Sequence, residues 1–411
     1  MDKISRLPDE LLVKILSFLP TKVAVSTSIL SKQWDFLWMW LPKLDYSTRK
    51  YSESECVRLR CFLNRNLPLH RAPVIESFRL DFLASQFKPM TIRSWLLTAV
   101  SRNLLEVEIS HAYTEKVLNI LPSSLYTCKS LASLKLNGMR TLVDVPRMVS
   151  LPCLKNLWLE GVKYKNEDSL QRLISNCPVL EDLFLNGCKG DNMVKFIVIV
   201  PSLLRLTVII PEDIDEFVID TPSLKYFKID YCSYKRHHCL IEYMPKLEEA
   251  YVEVSSDDIY IERFIKPITS VKRLTLCIEG VYGGDGFVFN QLEHLQLCIC
   301  NEYNSDEIVV RLLKDSPNLR VLDLFKMECH DTIGLYCWNR PRTVPECILS
   351  SLQTFKCSGY LGTLGERDLV IYILKNANHL KTATILFPTV DMKKELTLSS
   401  RASNACQLVF D

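Results

Sequence analysis

The chain has 411 residues, 48% of them hydrophobic and 24% charged, with 50 Lys and Arg against 48 Asp and Glu. That composition suits a packed protein of about two or three domains rather than a disordered one. A formal net charge of only +2 gives no electrostatic case for nucleic acid or an anionic membrane as partner.

The first twenty residues, MDKISRLPDELLVKILSFLP, carry charges throughout and lack an apolar run ending in a small-residue cleavage site, so no signal peptide is expected. Leu7-Pro8-Asp9-Glu10 opens a helix instead: proline suits the first turn, and acids there complement the helix dipole. Leu11, Leu12, Ile15, Leu16 and Leu19 form one apolar stripe that Pro20 ends. Thr21 and Ser31 are placed to cap two further helices, the last bearing Trp34, Phe36, Leu37, Trp38 and Leu41. Three short helices so rich in leucine and aromatics make a small core and leave apolar surface over for a partner.

Beyond them one pattern recurs: apolar, two variable residues, apolar, one variable, apolar. It reads Leu131-Ala-Ser-Leu134-Lys-Leu136, then Leu154-Lys-Asn-Leu157-Trp-Leu159, then Leu180-Glu-Asp-Leu183-Phe-Leu185. Further copies begin at Leu203, Leu224, Leu247, Val271, Leu292, Leu319, Leu352 and Leu380, with weaker ones at Ile75 and Leu104. From Leu104 to Leu319 the starts lie 21 to 27 residues apart, and the last two gaps are 33 and 28. That is the period of leucine-rich repeats. The alternation inside each copy is strand periodicity with one buried face, and the rest of each copy returns the chain to start a parallel neighbour. Helical spacing marks such returns at 167–175, 305–314 and 366–376. One copy cannot bury its own apolar face, so the copies stack into a curved solenoid. The most apolar stretch, Phe196 to Ile210, is broken by Pro201 and Arg205 and falls short of the ~20 residues a membrane helix needs. A soluble intracellular protein, in nucleus or cytoplasm, is expected.

Sixteen cysteines are scattered with no CxxC, and Cys298-Ile-Cys300 is unlike a zinc site. They read as reduced, buried thiols, and Cys188, Cys232 and Cys300 fall at repeat position nine, where the repeat consensus allows cysteine. Lys235-Arg236-His237-His238 reads as a solvated loop and Gly283-Gly284-Asp285-Gly286 as a turn, since no phosphate-loop lysine follows it. No HExxH or Gly-x-Ser-x-Gly occurs, so neither catalytic residues, a metal nor a cofactor is expected.

Positions three, five and seven of each repeat share the face opposite the buried leucines and line the concave sheet. Trp158, Phe184, Tyr226, Tyr251 and Phe325 lie there, with Arg205, Lys228 and Arg273 among them. Aromatics and arginine on a rigid sheet are what protein interfaces use as anchors, which makes these eight the candidate residues for binding a target protein. The cations are expected to orient an acidic segment of it.

Two stretches carry a family likeness. Ile4 to Leu44, with Leu7-Pro8, Leu11-Leu12, Ile15-Leu16 and Ser31-Lys32-Gln33-Trp34, resembles an F-box. Plant members commonly have arginine at the place of Gln33, a replacement expected to remove one polar contact. Trp338-Asn339-Arg340-Pro341 and Val344-Pro345-Glu346-Cys347, followed by Gly362, Glu366 and Tyr372-Ile373-Leu374, resemble the plant FBD module. The likeness implies an α/β chain with a three-helix F-box at 1–45, repeats at 46–330 and an FBD region with terminal repeats at 331–411. It implies that Leu7, Pro8, Leu11, Leu12, Ile15, Leu16 and Trp34 meet a Skp-type adaptor, and that cullin and RING subunits of a ubiquitin ligase join through it. On that likeness the chain is a non-catalytic receptor working by proximity. A scaffold that leads to no ubiquitin transfer is an alternative, as is a sensor of a hormone or inositol phosphate. The acids Asp182, Asp230, Glu249 and Glu253 among the cations argue against a phosphate sensor.

Overall fold

The structure, a computed structural model, describes residues 7–112, 116–138, 140–188, 190–211, 214–232, 238–255, 262–279, 287–299, 305–326, 335, 338–358, 360–386 and 390–410. The chain forms two units, Met1–Leu203 and Leu204–Asp411, and each is taken by itself.

The first unit opens with helix Asp9–Leu16, which starts directly after Pro8 with Asp9 and Glu10 in its first turn. Leu12 and Leu16, one turn apart, are fully buried, while Leu11 and Ile15 sit on the outer side. Thr21 does not cap the second helix but begins it, Thr21–Ser26, and its hydroxyl accepts the Asp45 N–H at 2.9 Å. The third expected helix shrinks to turns followed by the short 3₁₀ segment Leu37–Trp40. Trp34, Leu37, Trp38, Met39 and Leu41 are nevertheless buried, so the core forms by packing and not by helical continuity. The Gln33 amide donates to Leu7 O and to Asp9 Oδ1, both at 3.2 Å, and ties the last motif to the start of the first helix.

This helical module runs straight into the sheet. Strand Lys43–Ser47 follows within a few residues and pairs in parallel with Ser77–Phe82. The Met39 carbonyl accepts from Arg71 N and Ala72 N, and the Pro42 carbonyl from Glu76 N and Ser77 N. Helix Glu53–Asn66, opened by a Ser52–Glu55 capping box, brings Phe62 against Trp38 with ring centroids 5.0 Å apart. Strands Glu106–His111, Ser133–Asn137, Asn156–Glu160 and Asp182–Asn186 extend the parallel ladder. Their register sets equal repeat positions side by side, as in Leu134 opposite Leu157 and Leu157 opposite Leu183. Each of these leucines is almost wholly buried, which contributes roughly 1.5–3 kcal/mol apiece.

In the second unit nine parallel strands follow one another: Arg205–Ile210, Tyr226–Cys232, Glu249–Ser255, Arg273–Glu279, His294–Cys298, Val321–Phe325, Thr354–Cys357, Thr382–Ile385 and Gln407–Phe410. The returns expected to be helical are helices, at Asp168–Ile174 in the first unit and at Ser305–Lys314 and Leu364–Asn376 here. Others are strands. Glu216–Asp220 and His238–Ile241, rich in β-branched residues and leucine, pair in parallel in a smaller sheet separate from the main ladder. The apolar run from Phe196 is two strands, Lys195–Ile199 and Arg205–Ile210, parted at Pro201. No helix among the described residues is long and apolar enough to cross a membrane. Lys235–His237, Gly283–Gly286 and Cys300 lie outside the described residues.

Candidate functional site

Two surfaces stand out. On the helical module, Leu11 (47% exposed), Ile15 (42%), Phe18 (80%) and Ile29 (88%) hold large apolar side chains in water, with Leu30 and Pro8 exposed nearby. Of the seven residues assigned to adaptor contact, Leu12, Leu16 and Trp34 are core and cannot touch a partner without unfolding. Leu7 is half-buried and its carbonyl is taken by Gln33. Pro8, Leu11 and Ile15 remain, and Phe18, Ile29 and Leu30 join them. An isoleucine-leucine pair beside polar residues, in Ser26-Thr27-Ser28-Ile29-Leu30, was the available signal.

The second surface is the open face of the sheet. In the first unit the central row runs Asp45, Arg79, Glu108, Lys135, Trp158, Phe184, each in register with the next. Arg79 Nη1 lies 3.8 Å from Asp45 and its Nε 3.7 Å from Glu108, while Lys135 Nζ is 3.6 Å from Glu108. Lys135 also stands 4.9 Å from the Trp158 ring centre, and Trp158 stacks on Phe184 with centroids 3.5 Å apart and planes 4° from parallel. The indole N–H donates to Glu160 Oε2 at 3.0 Å.

In the second unit the predicted aromatics and cations pair with one another. The Arg205 guanidinium sits 4.8 Å over Tyr226, and Lys228 Nζ 4.2 Å over Tyr251. Tyr251 donates its hydroxyl proton to Glu253 Oε2 at 2.9 Å, and burial together with that carboxylate pushes the phenol's pKa up. Asp230, across the ladder from Glu253, has its pKa raised by burial first and by Glu253 second. Arg273 Nη2 and Nε reach Glu249 Oε2 at 2.6 and 3.2 Å. Phe325 packs on buried Cys277 and Cys298. All three expected cations are thus already engaged within the chain, which removes the reason to expect that they orient an acidic segment.

Burial pushes the thiols of Cys177, Cys239, Cys347 and Cys357 up to about 12, far from the range of an activated nucleophile. Among the described residues no group of three or more His, Cys, Asp or Glu is placed to hold a metal ion.

A small helical module with apolar side chains facing out, fused to a parallel leucine-rich sheet with one bare face, defines an F-box leucine-rich-repeat protein. The comparisons agree. The F-box domain matches residues 4–45, the repeats of FBD-associated F-box protein At5g56370 match 92–266, and FBD matches 340–385. FBD-associated F-box protein At4g10400 of Arabidopsis thaliana is 57% identical over 416 residues, spanning all of both chains. From the same plant, FBD-associated F-box protein At5g38590 is 52% identical over 94% of each chain, and the putative F-box/FBD/LRR-repeat protein At5g62970 is 46% identical over the whole of both. The chain belongs to the family of FBD-associated F-box proteins. F-box proteins generally act as substrate adaptors of SCF-type ubiquitin ligases.

The FBD match covers helix Glu346–Ser350, strand Thr354–Cys357, helix Leu364–Asn376 and strand Thr382–Ile385, the same plan as the repeats before it.

Proposed function

We propose that this chain is a substrate-receptor subunit of an SCF-type ubiquitin ligase, acting inside the cell in nucleus or cytoplasm. The F-box docks on a Skp-type adaptor, cullin and RING subunits join through that adaptor, and the open sheet face holds a target protein for ubiquitination. The chain itself supplies proximity and no chemistry.

The observation that carries this reading is the exposure of the large apolar side chains Leu11, Ile15, Phe18, Ile29 and Leu30 on a module whose buried core does not include them. Side chains of that kind left in water on an otherwise packed surface mark a protein interface. The test is co-purification of the full chain with a plant Skp-type adaptor. A stable complex that Leu11→Ser with Ile15→Ser dissolves supports the reading, and failure of the wild-type chain to bind any such adaptor overturns it. No cysteine is expected to carry ubiquitin, so a reducible ubiquitin adduct on the purified chain would refute the non-catalytic role.

A further inference from the structure

We propose that the open sheet face of the first unit receives a basic segment of the target, with one lysine or arginine side chain seated against Trp158 and Phe184 and its charged head on Glu160. This rests on the reading that the face holds the target, and adds the chemistry of what it holds.

The charge of this face departs from that of the chain. The whole sequence carries a formal +2. At positions three, five and seven of the six strands, however, stand the acids Asp45, Asp81, Glu106, Glu108, Glu160 and Asp182. Only three bases share these positions, Lys43, Arg79 and Lys135, and a fourth, Arg49 just beyond the first strand, pairs with Asp81 and donates to Ser110, which leaves six acids against four bases. None of the three is spare: Lys43 lies 3.9 Å from Glu76, Arg79 bridges Asp45 and Glu108, and Lys135 bridges Glu108 and the Trp158 ring. Glu106 has no ion pair among the described residues, and Glu160 receives only the indole N–H. A positively charged partner gains from this surplus, and an acidic peptide or a phosphate backbone is repelled.

Geometry narrows the proposal to one side chain. Trp158 has Lys135 over one face and Phe184 on the other, so a partner meets ring edges rather than an open ring face. The aliphatic stem of a lysine or arginine packs on such edges while its head reaches for a charge. Glu160 is ready to take it. Its Oε2 is fixed by the indole, which orients the carboxylate before binding, and its Oε1 has no hydrogen bond among the described residues. Little ordering remains to be done when the partner arrives.

The test uses the full chain bound to its adaptor and three labelled peptides of one length. Each has a central leucine flanked by lysines, by glutamines or by glutamates, and binding is read by fluorescence anisotropy at low and high salt. The lysine peptide should bind roughly tenfold more tightly than the glutamine peptide, lose that margin in high salt, and outcompete the glutamate peptide altogether. Glu160→Gln should remove most of the lysine advantage, and Glu160→Lys should transfer preference to the glutamate peptide. Trp158→Ala should weaken the lysine and glutamine peptides together. If Trp158→Ala weakens binding but lysine gives no advantage over glutamine, the face is a target site and the charge proposal is wrong. If no peptide responds to Trp158→Ala, or none binds, both the proposal and the reading of this face as the target site fall.

Discussion

Lys326 Nζ lies 2.7 Å from Glu366 Oε1, and both side chains are almost out of water, 6% and 1% exposed. The other Glu366 oxygen accepts the N–H groups of Leu361, Gly362 and Thr363, so one carboxylate fastens the strand ending at Phe325 to the loop that opens helix Leu364–Asn376. Gly362 takes a φ of +73°, a conformation in which only glycine is relaxed, and this lets its N–H point at the carboxylate. Glu366→Gln should destabilise the second unit by about 3–5 kcal/mol, because the lysine ammonium is left buried without a counter-charge. Lys326→Met combined with Glu366→Gln should recover more than half of that loss. Amide exchange across 340–385 is the measurement, and additive losses in the double variant would contradict the account.

A second prediction concerns close packing. A Cβ on Gly138 would clash with His111 Cδ2 and Nε2. His111 cannot yield easily: Nδ1 is 2.9 Å from the Ala112 carbonyl, Nε2 is 2.7 Å from the Thr141 hydroxyl, and the ring packs on Phe82. Gly138→Ala should therefore cost about 1–3 kcal/mol through overpacking. Adding His111→Ala should make the alanine at 138 nearly harmless in urea unfolding of the full chain.

Acid should loosen the same place. Burial lowers the pKa of His111 below its ordinary 6.5, against a smaller opposing effect of the Ala112 carbonyl, and burial lowers His70 likewise. Each imidazole stays neutral in the fold where the unfolded chain would already bind a proton. Their contribution is whole above pH 6.5 and drains away as pH falls through the lowered values. The unfolding midpoint should drop as pH falls below the ordinary imidazole value of 6.5, and His111→Gln should flatten part of that slope. An unchanged slope in the variant would assign the acid sensitivity elsewhere.

The F-box separates core from contact cleanly enough to test by pairs. Leu12→Ala should cost about 2–5 kcal/mol and melt the helical module, since its side chain is fully buried. Phe18→Ser and Ile29→Ser should leave circular dichroism and melting unchanged while weakening adaptor pull-down. Leu7→Ala with Pro8→Ala should weaken it less, because Leu7 is half covered. A reversed order of effects would mean that the exposed apolar face is not where the adaptor sits.

The repeats were legible because a leucine every second or third residue, recurring at a nearly fixed period, forces one strand and one register. Leu157 can oppose Leu183 only if Trp158 opposes Phe184, so the side-by-side placement of these two aromatics follows from spacing alone. What side chains do across that register was not legible. Arg273 and Glu249 are 24 residues apart, and nothing in either repeat announces that their charges cancel. Aromatic content in the third F-box segment mimics helical periodicity, whereas Trp34, Trp38 and Met39 reach the core from turns and one 3₁₀ segment. Leu12 and Leu11 are adjacent in sequence and opposite in role, a distinction that needs the position of Trp34 and its neighbours to draw.

The direct passage from Trp40 into strand Lys43–Ser47 has a mechanical meaning for the first unit. A tethered receptor would let its cargo roam and would sample many lysines at random. Here the handle and the first rungs of the ladder are one casting, so under the proposed receptor role a target held near Trp158 would inherit a bearing from the F-box. Under that role, which lysine on a target comes within reach of ubiquitin would depend on where the target is held and on its own shape, and not on how far a hinge swings. Inserting a glycine-serine spacer between Leu41 and Lys43 should leave binding at both faces intact and scatter ubiquitin over more lysines of the same target.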